Sequence, residues 1–570
     1  MPMHRLINCA GACIAVALLQ GALVDASEVS LGPRGELRVD GKPFLPIFVW
    51  LQPVSNFDML ISLGMNTFMG EGAGGETSKE FLDAAEGRGV WGIIHTREEN
   101  WELKDHPALL TWMFGDEPDL PAKIPYKCPW GVPRGEDGSV NVWWEGEGPA
   151  ETNISGEGWP NTESTVLSGQ RWLGLNADSL PPEGHFYARY RVQVPETGTY
   201  TLWSREFGKG WSSPTWWRFD DGGWQHTPRD IKTIEGKRVT SNLSVGWHRY
   251  ASGTLSAGTH TFEVKVNEGR TLGRSLEVKE SDYLVAFDAF LLTTSDKEPR
   301  TPEHPPRPRV LPDQIAEQYK ALKMVDRTRP VYLNLTACFY QQFARYDDAT
   351  YEAYCRATDV IGYDLYPVTG WGKPEWVPLI GPATAKLREL GGGKVPVWAI
   401  LECTTKLRWV SQERLDELGH PQGAHADELR AMVWLAIVNG ATGIGYFPHR
   451  WDPYRQADIS EELQIEMQRT NRQLTELAPA ILGSGVAQPI EHEQLEGGPV
   501  QTLTKAHAGA RYVFAVNTTR EPARVRFPAQ GGSTVEVYEE GRSVRPTARG
   551  FEDAFAPLGV HVYIVRRERQ

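Results

Sequence analysis

A block of all-β sequence sits inside a chain that otherwise alternates short apolar strands with helices, and this interruption constrains the fold more than any other feature. Before it, "GELRVDGKPFLPIFVWLQP", "MNTFMGE", "VWGIIHT" and "HPALLTWMFGDEP" each supply one short buried strand. After it, "PVYLNLT", "DVIGYDLYPV", "VPVWAILEC" and "GATGIGYFPHRW" supply four more. Strands buried on both faces read as near-continuous apolar runs, and their alternation with helical segments points to parallel β/α architecture.

Four strands before the interruption and four after it complete the set that an eight-fold closed barrel needs. The expected fold class is therefore α/β: a TIM (β/α)8 barrel interrupted after strand four by an all-β sandwich, jelly-roll-like, with a further β-sandwich at the C-terminus. A doubly wound open sheet is the alternative. Asp40-Gly41 is a hairpin turn signal ahead of the first strand, and "SKEFLDAAEGRG" reads as a helix capped by Ser78 and stopped by glycine. Inside the interruption, "HFYARYRVQV", "GTYTLWSREF", "SPTWWRFDDGGW", "GWHRYASGTL", "AGTHTFEVKV" and "LVAFDAFLLTTSD" alternate with turn residues, as sandwich strands do. A proline-rich connector, "EPRTPEHPPRPRVLP", returns to helix-like "DQIAEQYKALKMVD". The resulting boundaries are a leader over 1–26, the first half-barrel over 27–121, the inserted sandwich over 140–296, the second half-barrel over 310–483 and the terminal sandwich over 488–570.

At 570 residues the chain exceeds one ordinary core, and its 21 tryptophans, 19 tyrosines and 19 phenylalanines suit packed domains with aromatic surface to spare. A net charge of −14 with no long basic run argues against nucleic acid as partner. The opening "MPMHRLINCAGACIAVALLQGALVDA" has a basic start, an apolar centre too short to span a bilayer and a small-residue end, which predicts a secretion signal cleaved near Ala26. The mature chain is expected to be secreted or periplasmic, without a membrane span. Cys128, Cys338, Cys355 and Cys403 then remain, with no zinc-like spacing; a disulfide between Cys338 and Cys355 is left open.

Two acids stand out against this frame. "LLTWMFGDEP" places Glu117 just beyond strand four, and "VPVWAILE" ends strand seven in Glu402 after a run without charge. The C-terminal rim of such a barrel is where catalytic groups collect. Two carboxylates sharing a cleft suffice for glycoside hydrolysis, one protonating the leaving oxygen and the other attacking or activating water. As plainer alternatives, Glu117 suits a helix N-terminus, and Glu402 has Lys406 and Arg408 nearby to pair with.

The "DGKPFLP" hairpin, "HPALLTWMFGDEPD", "VPVWAILE" and "ELRAMVWLAIVNGATGIGYF" together resemble the retaining glycoside hydrolases of clan A. The resemblance implies Glu117 as acid/base and Glu402 as nucleophile, the first with a raised pKa and the second with a normal or lowered one. In the common pattern an Asn that holds the sugar 2-hydroxyl precedes the acid/base; this chain has Asp116 there, which accepts but cannot donate. Tyr363 and Tyr366, flanking Asp364 after strand six, stand where such enzymes place a tyrosine on the nucleophile. Further substrate-binding candidates at strand ends are His95, Tyr446 and His449, with Trp50, Trp371 and Trp451 as stacking surfaces for pyranose rings.

Within the insert, "VWWEGEGPAETN" and "AFDAFLLTTSD" resemble the opening and closing strands of lectin-like carbohydrate-binding modules. That resemblance implies a structural calcium held by Glu145, Glu147 and Asp288, oxygen ligands suited to a hard cation. Trp211, Trp216, Trp217 and Trp224 are candidates for a module sugar site or for packing. The function expected is a secreted retaining glycoside hydrolase acting on an extracellular poly- or oligosaccharide, with no cofactor for catalysis. The alternatives are a weakly catalytic or non-catalytic carbohydrate-binding protein, and a transglycosylase using the same residues.

Overall fold

The structure is a computed structural model and describes residues 28–122, 132–135, 137–154, 166–208, 210–239, 244–272, 277–299, 307–340, 343–451, 453–483, 485–486, 490–529 and 533–567. The expected leader and Cys128 lie outside these residues. The chain forms two compact units, one holding the chain up to Pro121 and from Pro306 onward, the other holding Ala122–Pro305. Among the described residues no helix is long and apolar enough to cross a membrane.

In the first unit eight parallel strands close into a barrel: β1 Ile47–Trp50, β2 Thr67–Met69, β3 Trp91–His95, β4 Leu109–Met113, β5 Val331–Thr336, β6 Val360–Leu365, β7 Val397–Glu402 and β8 Ala441–Phe447. β4 pairs with β5 across the interruption and β8 pairs with β1 to close the ring, so the open-sheet alternative does not hold. Helices α1 Phe57–Ser62, α2 Ser78–Glu86, α3 Pro312–Val325, α4 Asp348–Arg356, α5 Ile380–Leu390, α6 Gln412–Glu417, α7 Ala426–Val438 and α8 Glu461–Ile481 connect the strands. The cap of α2 is Thr77 and not Ser78: Thr77 accepts from Glu80 N–H while Glu80 reaches back to Thr77 N–H, a reciprocal capping box.

The period of two along each strand sorts side chains between two cores. Phe48, Trp50, Met69, Ile93, Met113, Tyr332, Trp398 and Ile400 fill the barrel. Val49, Phe68, Ile94, Trp112, Leu333, Tyr363, Leu401 and Tyr446 face the helices. Tyr332 stacks on Trp398 with ring centroids 5.1 Å apart, and Phe48 lies 5.4 Å from the same indole. Glycine on the facing strands makes room for them: a Cβ on Gly362 would sit 2.0 Å from the Tyr332 hydroxyl, and one on Gly445 2.2 Å from the Phe48 ring. Large aromatics thus plug the barrel below its C-terminal rim, and polar groups are left for the mouth.

The chain leaves this unit beside the point where it returns. Pro121 and Pro308 form an antiparallel bridge, Arg309 N–H donates to Leu120 C=O at 2.6 Å, and Val310 N–H donates to Pro118 C=O at 3.1 Å. Two sheets, of six and three strands, form the C-terminal sandwich, which packs on α7 with Trp434 stacked against Phe514 at 5.7 Å. Cys338, Cys355 and Cys403 are buried free thiols, so the structure holds no Cys338–Cys355 bridge.

The second unit is antiparallel throughout. One sheet pairs Leu173–Ala177 and Asn141–Glu145 with Tyr283–Thr293, then runs through Gly198–Phe207 and Ser244–Leu255 to Ile234–Arg238. The other runs from Gln225–His226 through Trp216–Phe219, Gly258–Val266 and Phe186–Val194 to Glu151–Thr152. Tyr190, Val192, Trp217, Phe262, Val264, Phe287 and Phe290 form the core between them.

Candidate active site

Beyond β4 the backbone does something uncommon. Glu117 has φ +47°, in the left-handed region that a side chain with a Cβ rarely occupies. Such a conformation costs on the order of 1–3 kcal/mol and persists only where neighbours over-determine it. Here Arg309 donates to the carbonyls of both Asp116 and Glu117. Two residues on, buried Asp119 accepts from Thr336 N–H at 2.9 Å and from Thr336 Oγ1 at 2.6 Å, tying the turn to the end of β5.

This turn delivers the Glu117 carboxyl to an acidic cluster. Its side chain is hydrogen-bonded to that of Asp364, at the end of β6. Asn334 on β5 donates from Nδ2 to Asp116 Oδ1 at 3.0 Å and reaches Asp364 Oδ1 at 3.5 Å, while its own Oδ1 accepts from the Tyr332 hydroxyl at 3.0 Å. Burial, followed by the charge of Asp116, pushes Glu117 up to about 7. Burial and the neighbouring carboxylates also raise Asp364, burial raises Asp116 against the pull of Asn334 and Arg309, and burial lifts Asp119 to about 6. A carboxylic acid kept protonated near neutrality is what protonation of a leaving group requires.

His95, at the end of β3, is positioned on the same mouth. Its Nδ1 lies 2.8 Å from Glu71 Oε2, its backbone N–H donates to the same oxygen, and Asn100 Nδ2 donates to Glu71 Oε1 at 3.2 Å. Burial would raise Glu71, but the hydrogen bond and charge of His95 outweigh it and hold the acid down at about 2. His95 in turn lowers Asp116 electrostatically.

Glu402 ends β7 on the inward side and is 0% exposed. Oε1 accepts from Val368 N–H at 2.7 Å, and Oε2 accepts from Thr369 N–H at 2.6 Å and Thr369 Oγ1 at 2.5 Å. These three donors favour the ionised form, yet complete burial still pushes the acid up to about 7. A normal or lowered value, as sequence reasoning assigns to the nucleophile, is not what this environment produces. The carboxyl that the structure brings into contact with Glu117 is that of Asp364.

Several expected contacts are corrected. Tyr363 points away from the mouth, its hydroxyl 2.7 Å from Thr384 Oγ1 and donating to Ile380 C=O on α5, so Tyr366 alone of the pair faces the acids. Tyr446 is likewise turned outward and donates to Asn471 Oδ1 on α8 at 2.7 Å. Trp50 belongs to the buried plug of the barrel and presents no face for a sugar. His449 is buried, with Nε2 donating to the carbonyls of Trp50 and Leu51 and Nδ1 accepting from the Tyr454 hydroxyl at 3.2 Å, which leaves no nitrogen for a ligand. Trp371 and Trp451 are exposed; Trp371 stacks on Phe343 at 5.2 Å. Sequence reasoning does not single out Glu71, Asn334, Asp119 or Arg309. Asn334 carries a usable signal, a lone amide inside the apolar strand "VYLNLT".

In the inserted sandwich the three acids divide. Arg205 pairs with Asp288, whose other oxygen accepts from Ser168 N–H at 2.8 Å, so the charge of Asp288 is already matched by a protein cation. Glu145 and Glu147 fit a metal cation. Glu145 Oε1 accepts from Ser168 Oγ and Trp143 Nε1, while Glu145 Oε2 and Glu147 Oε2 are buried without a hydrogen-bond partner among the described residues. Burial, with the charge of Glu145 adding to it, pushes Glu147 up to about 7. Two orphaned buried carboxylate oxygens are the type of ligand that a hard cation takes. Trp217 is core, Trp211 is exposed, and Lys265 lies over the rings of both Trp216 and Trp224.

No family model and no curated protein matches the sequence. Among solved structures, an α-amylase from Geobacillus thermoleovorans aligns at 14% identity over 46% of this chain and 58% of its own, with a TM-score of 0.33. A family 42 β-galactosidase from G. stearothermophilus aligns at 10% identity over 45% of this chain and 67% of its own, with a TM-score of 0.31. A family 39 glycoside hydrolase from the gut symbiont Bacteroides cellulosilyticus aligns at 9% identity over 92% of this chain and 81% of its own, with a TM-score of 0.36. The chain thus spans less than two thirds of the length of the amylases it aligns with. The barrel itself rests on the strand pairing described above.

Proposed function

We propose that the barrel mouth hydrolyses O-glycosidic bonds of an extracellular poly- or oligosaccharide, with Glu117 protonating the leaving oxygen. One observation carries this reading: at the C-terminal end of β4 a strained turn holds a carboxyl that burial and Asp116 lift to about 7. Asp364, in hydrogen-bond contact with it, shares the proton: its hydrogen bond pulls Glu117 down while burial and the charge of Asp116 prevail and keep Glu117 raised. Glu402 is the second carboxylate of a double displacement. The three donors that cage it favour its ionised form against the burial that raises it, and attack requires the turn around Val368 and Thr369 to withdraw at least one of them. A retaining mechanism needs the two acting carboxyls about 5–5.5 Å apart when substrate is bound.

For the inserted sandwich we propose carbohydrate binding on a scaffold whose Glu145 and Glu147 hold a calcium ion. The ion would supply positive charge to two oxygens that no donor among the described residues serves. Export of the mature chain after cleavage near Ala26 completes the reading.

The test is reducing-sugar release by wild type, Glu117→Gln and Glu402→Gln across plant, algal and microbial glycans, with the product anomer read by NMR. Release by wild type that both variants lose, with retained configuration, is the expected result. An inverted product removes Glu402 as nucleophile. Binding without release from any glycan replaces the hydrolase by a carbohydrate-binding protein, a reading that the fully enclosed Glu402 specifically favours.

A further inference from the structure

Outside the acidic cluster, the loops after β7 and β8 carry a second feature that the chemistry above does not use. Arg408 has its guanidinium carbon 5.4 Å from the ring centroid of Trp409 and 5.6 Å from that of Trp451. Trp451 comes from the short hairpin of Arg450–Trp451 and Tyr454–Arg455, where Tyr454 lies 5.4 Å from it. All three rings are open to solvent, Trp409 at 59%, Trp451 at 40% and Tyr454 at 53%. Other arginines of these loops are neutralised: Arg450 and Arg455 by Asp458, Arg414 by Glu417. Among the described residues no carboxylate lies within ion-pair distance of Arg408, which is itself exposed.

The loops are also fastened to each other. Thr405 N–H donates to Asp458 C=O at 3.0 Å and its hydroxyl donates to the Asp458 carboxylate, so the β7 and β8 loops hold the two indoles in register. A guanidinium stacked on an indole loses little of its hydration and keeps its N–H edge free for a planar oxyanion. Exposed indole faces pack against the C–H face of a pyranose. Contiguous exposed aromatic surface around an unneutralised cation marks a binding site more than chance exposure does.

We infer that Arg408, Trp409 and Trp451 form a subsite for an acidic sugar, one bearing a carboxylate or a sulfate ester, and that the glycan taken by the barrel mouth is therefore anionic. This rests on the hydrolase reading for the location of the scissile bond but not for the binding itself. The net charge of −14 does not oppose it, since charges more than about 8 Å away are largely screened at physiological salt. Burial, by raising Glu117, Asp364 and Glu402, also reduces the repulsion an acidic sugar meets at the mouth.

The test uses the full chain and two matched pairs of polymers: a polyuronate with its carboxyl-reduced counterpart, and a sulfated galactan with its desulfated counterpart. Calorimetric binding is measured on the Glu117→Gln protein, and hydrolysis on wild type. The acidic member of at least one pair should bind about tenfold or more tightly than its neutral counterpart, the scale of one charge-assisted hydrogen-bonded pair. The preference should fade as salt is raised. Arg408→Met should abolish it, while Arg414→Met, whose charge is already paired, should leave it intact. The pair that shows the effect distinguishes carboxylate from sulfate. Equal affinity for acidic and neutral polymers, or a preference that survives Arg408→Met, overturns the inference even if a glycan is hydrolysed. Acidic preference lost in Arg408→Met but with no hydrolysis of any polymer supports the subsite and overturns the hydrolase reading instead.

Discussion

The carboxyl of Glu117 and the carboxyl of Asp364 meet in a hydrogen bond at the barrel mouth, and both are pushed toward their protonated forms. Like charges at that range cannot both ionise, so the pair titrates as a unit with one proton held between its members. Glu117→Gln should lower kcat by about 10²–10⁴ on substrates with poor leaving groups, the usual contribution of a positioned acid. The loss should be far smaller on an aryl glycoside whose phenol departs unaided. Equal losses on both substrates would place Glu117 outside the protonation step.

The pH profile follows from the direction of the Glu117 shift. An acid that works protonated is lost as pH rises through its pKa, so kcat/KM should fall on an alkaline limb near pH 7. Asp116→Asn removes the neighbouring charge that raises Glu117 and should move that limb to lower pH. The amide oxygen introduced by that substitution would still accept from Asn334, so folding should not suffer. A limb that stays in place would show that Asp116 does not set the Glu117 pKa.

Glu402→Gln should cost stability as well as activity. Glutamine has one acceptor oxygen where the carboxylate meets three donors, and its amide would face a backbone N–H of Val368 or Thr369. One buried donor left unpaired costs about 1–3 kcal/mol. Urea melts recorded beside the activity assay check this; unchanged stability would mean the cage is open in solution.

Stability should also decline between mildly acidic and neutral pH. Glu117 and Glu402 rise from an ordinary 4.5 to about 7 and Asp119 from 3.8 to about 6, so the folded state binds protons that the unfolded state has released. Their contribution is complete below the unfolded values and is lost as pH rises through the folded ones. Glu71, held at about 2, acts oppositely: its contribution is present above 4.5 and is lost as pH falls toward 2. Midpoints of urea unfolding at pH 5 should exceed those at pH 8, and the triple variant Glu117→Gln, Glu402→Gln, Asp119→Asn should reduce the difference, with Glu147 and the other raised acids keeping the rest.

Calcium should raise the melting temperature of wild type relative to chelated protein, by about 2.7 kcal/mol of stabilisation at a hundredfold excess over Kd. Glu147→Gln should remove the increment because it discharges one of the two orphaned oxygens. Asp288→Asn should destabilise the protein with or without calcium, since its partner is Arg205.

Much of this architecture is legible in the sequence, and the physics says which part. Parallel strands buried on both faces appear as charge-free apolar runs, so Glu117 and Glu402 stand out among the first charges beyond "LLTWMF" and "VPVWAIL". Side-chain parity is also available: Asp364 and Tyr363 are neighbours on β6 and must face opposite ways, which rules Tyr363 out of the mouth once Asp364 is in it. Trp50 is inward by the same rule but covered by its neighbours in the core. What no pattern reveals is which donors reach a carboxylate. The Val368 and Thr369 amides around Glu402, and the Glu71 brace on His95, come from loops whose path no periodicity records.

The neck where Pro121 and Pro308 meet sets a problem of timing. β4 needs β5 as its neighbour, and the stretch Ala122–Pro305 is synthesised between them. At roughly 5–20 residues per second the ribosome takes on the order of ten to forty seconds over that stretch. Throughout that interval β1 and β4 are unpaired edges of a half-made sheet, while the sandwich, whose strands are continuous in sequence, is being completed. Newly made chains of this protein should therefore be most exposed to edge-to-edge association, and most in need of a chaperone, after the first half-barrel has emerged and before Val331–Thr336 arrives to cover it.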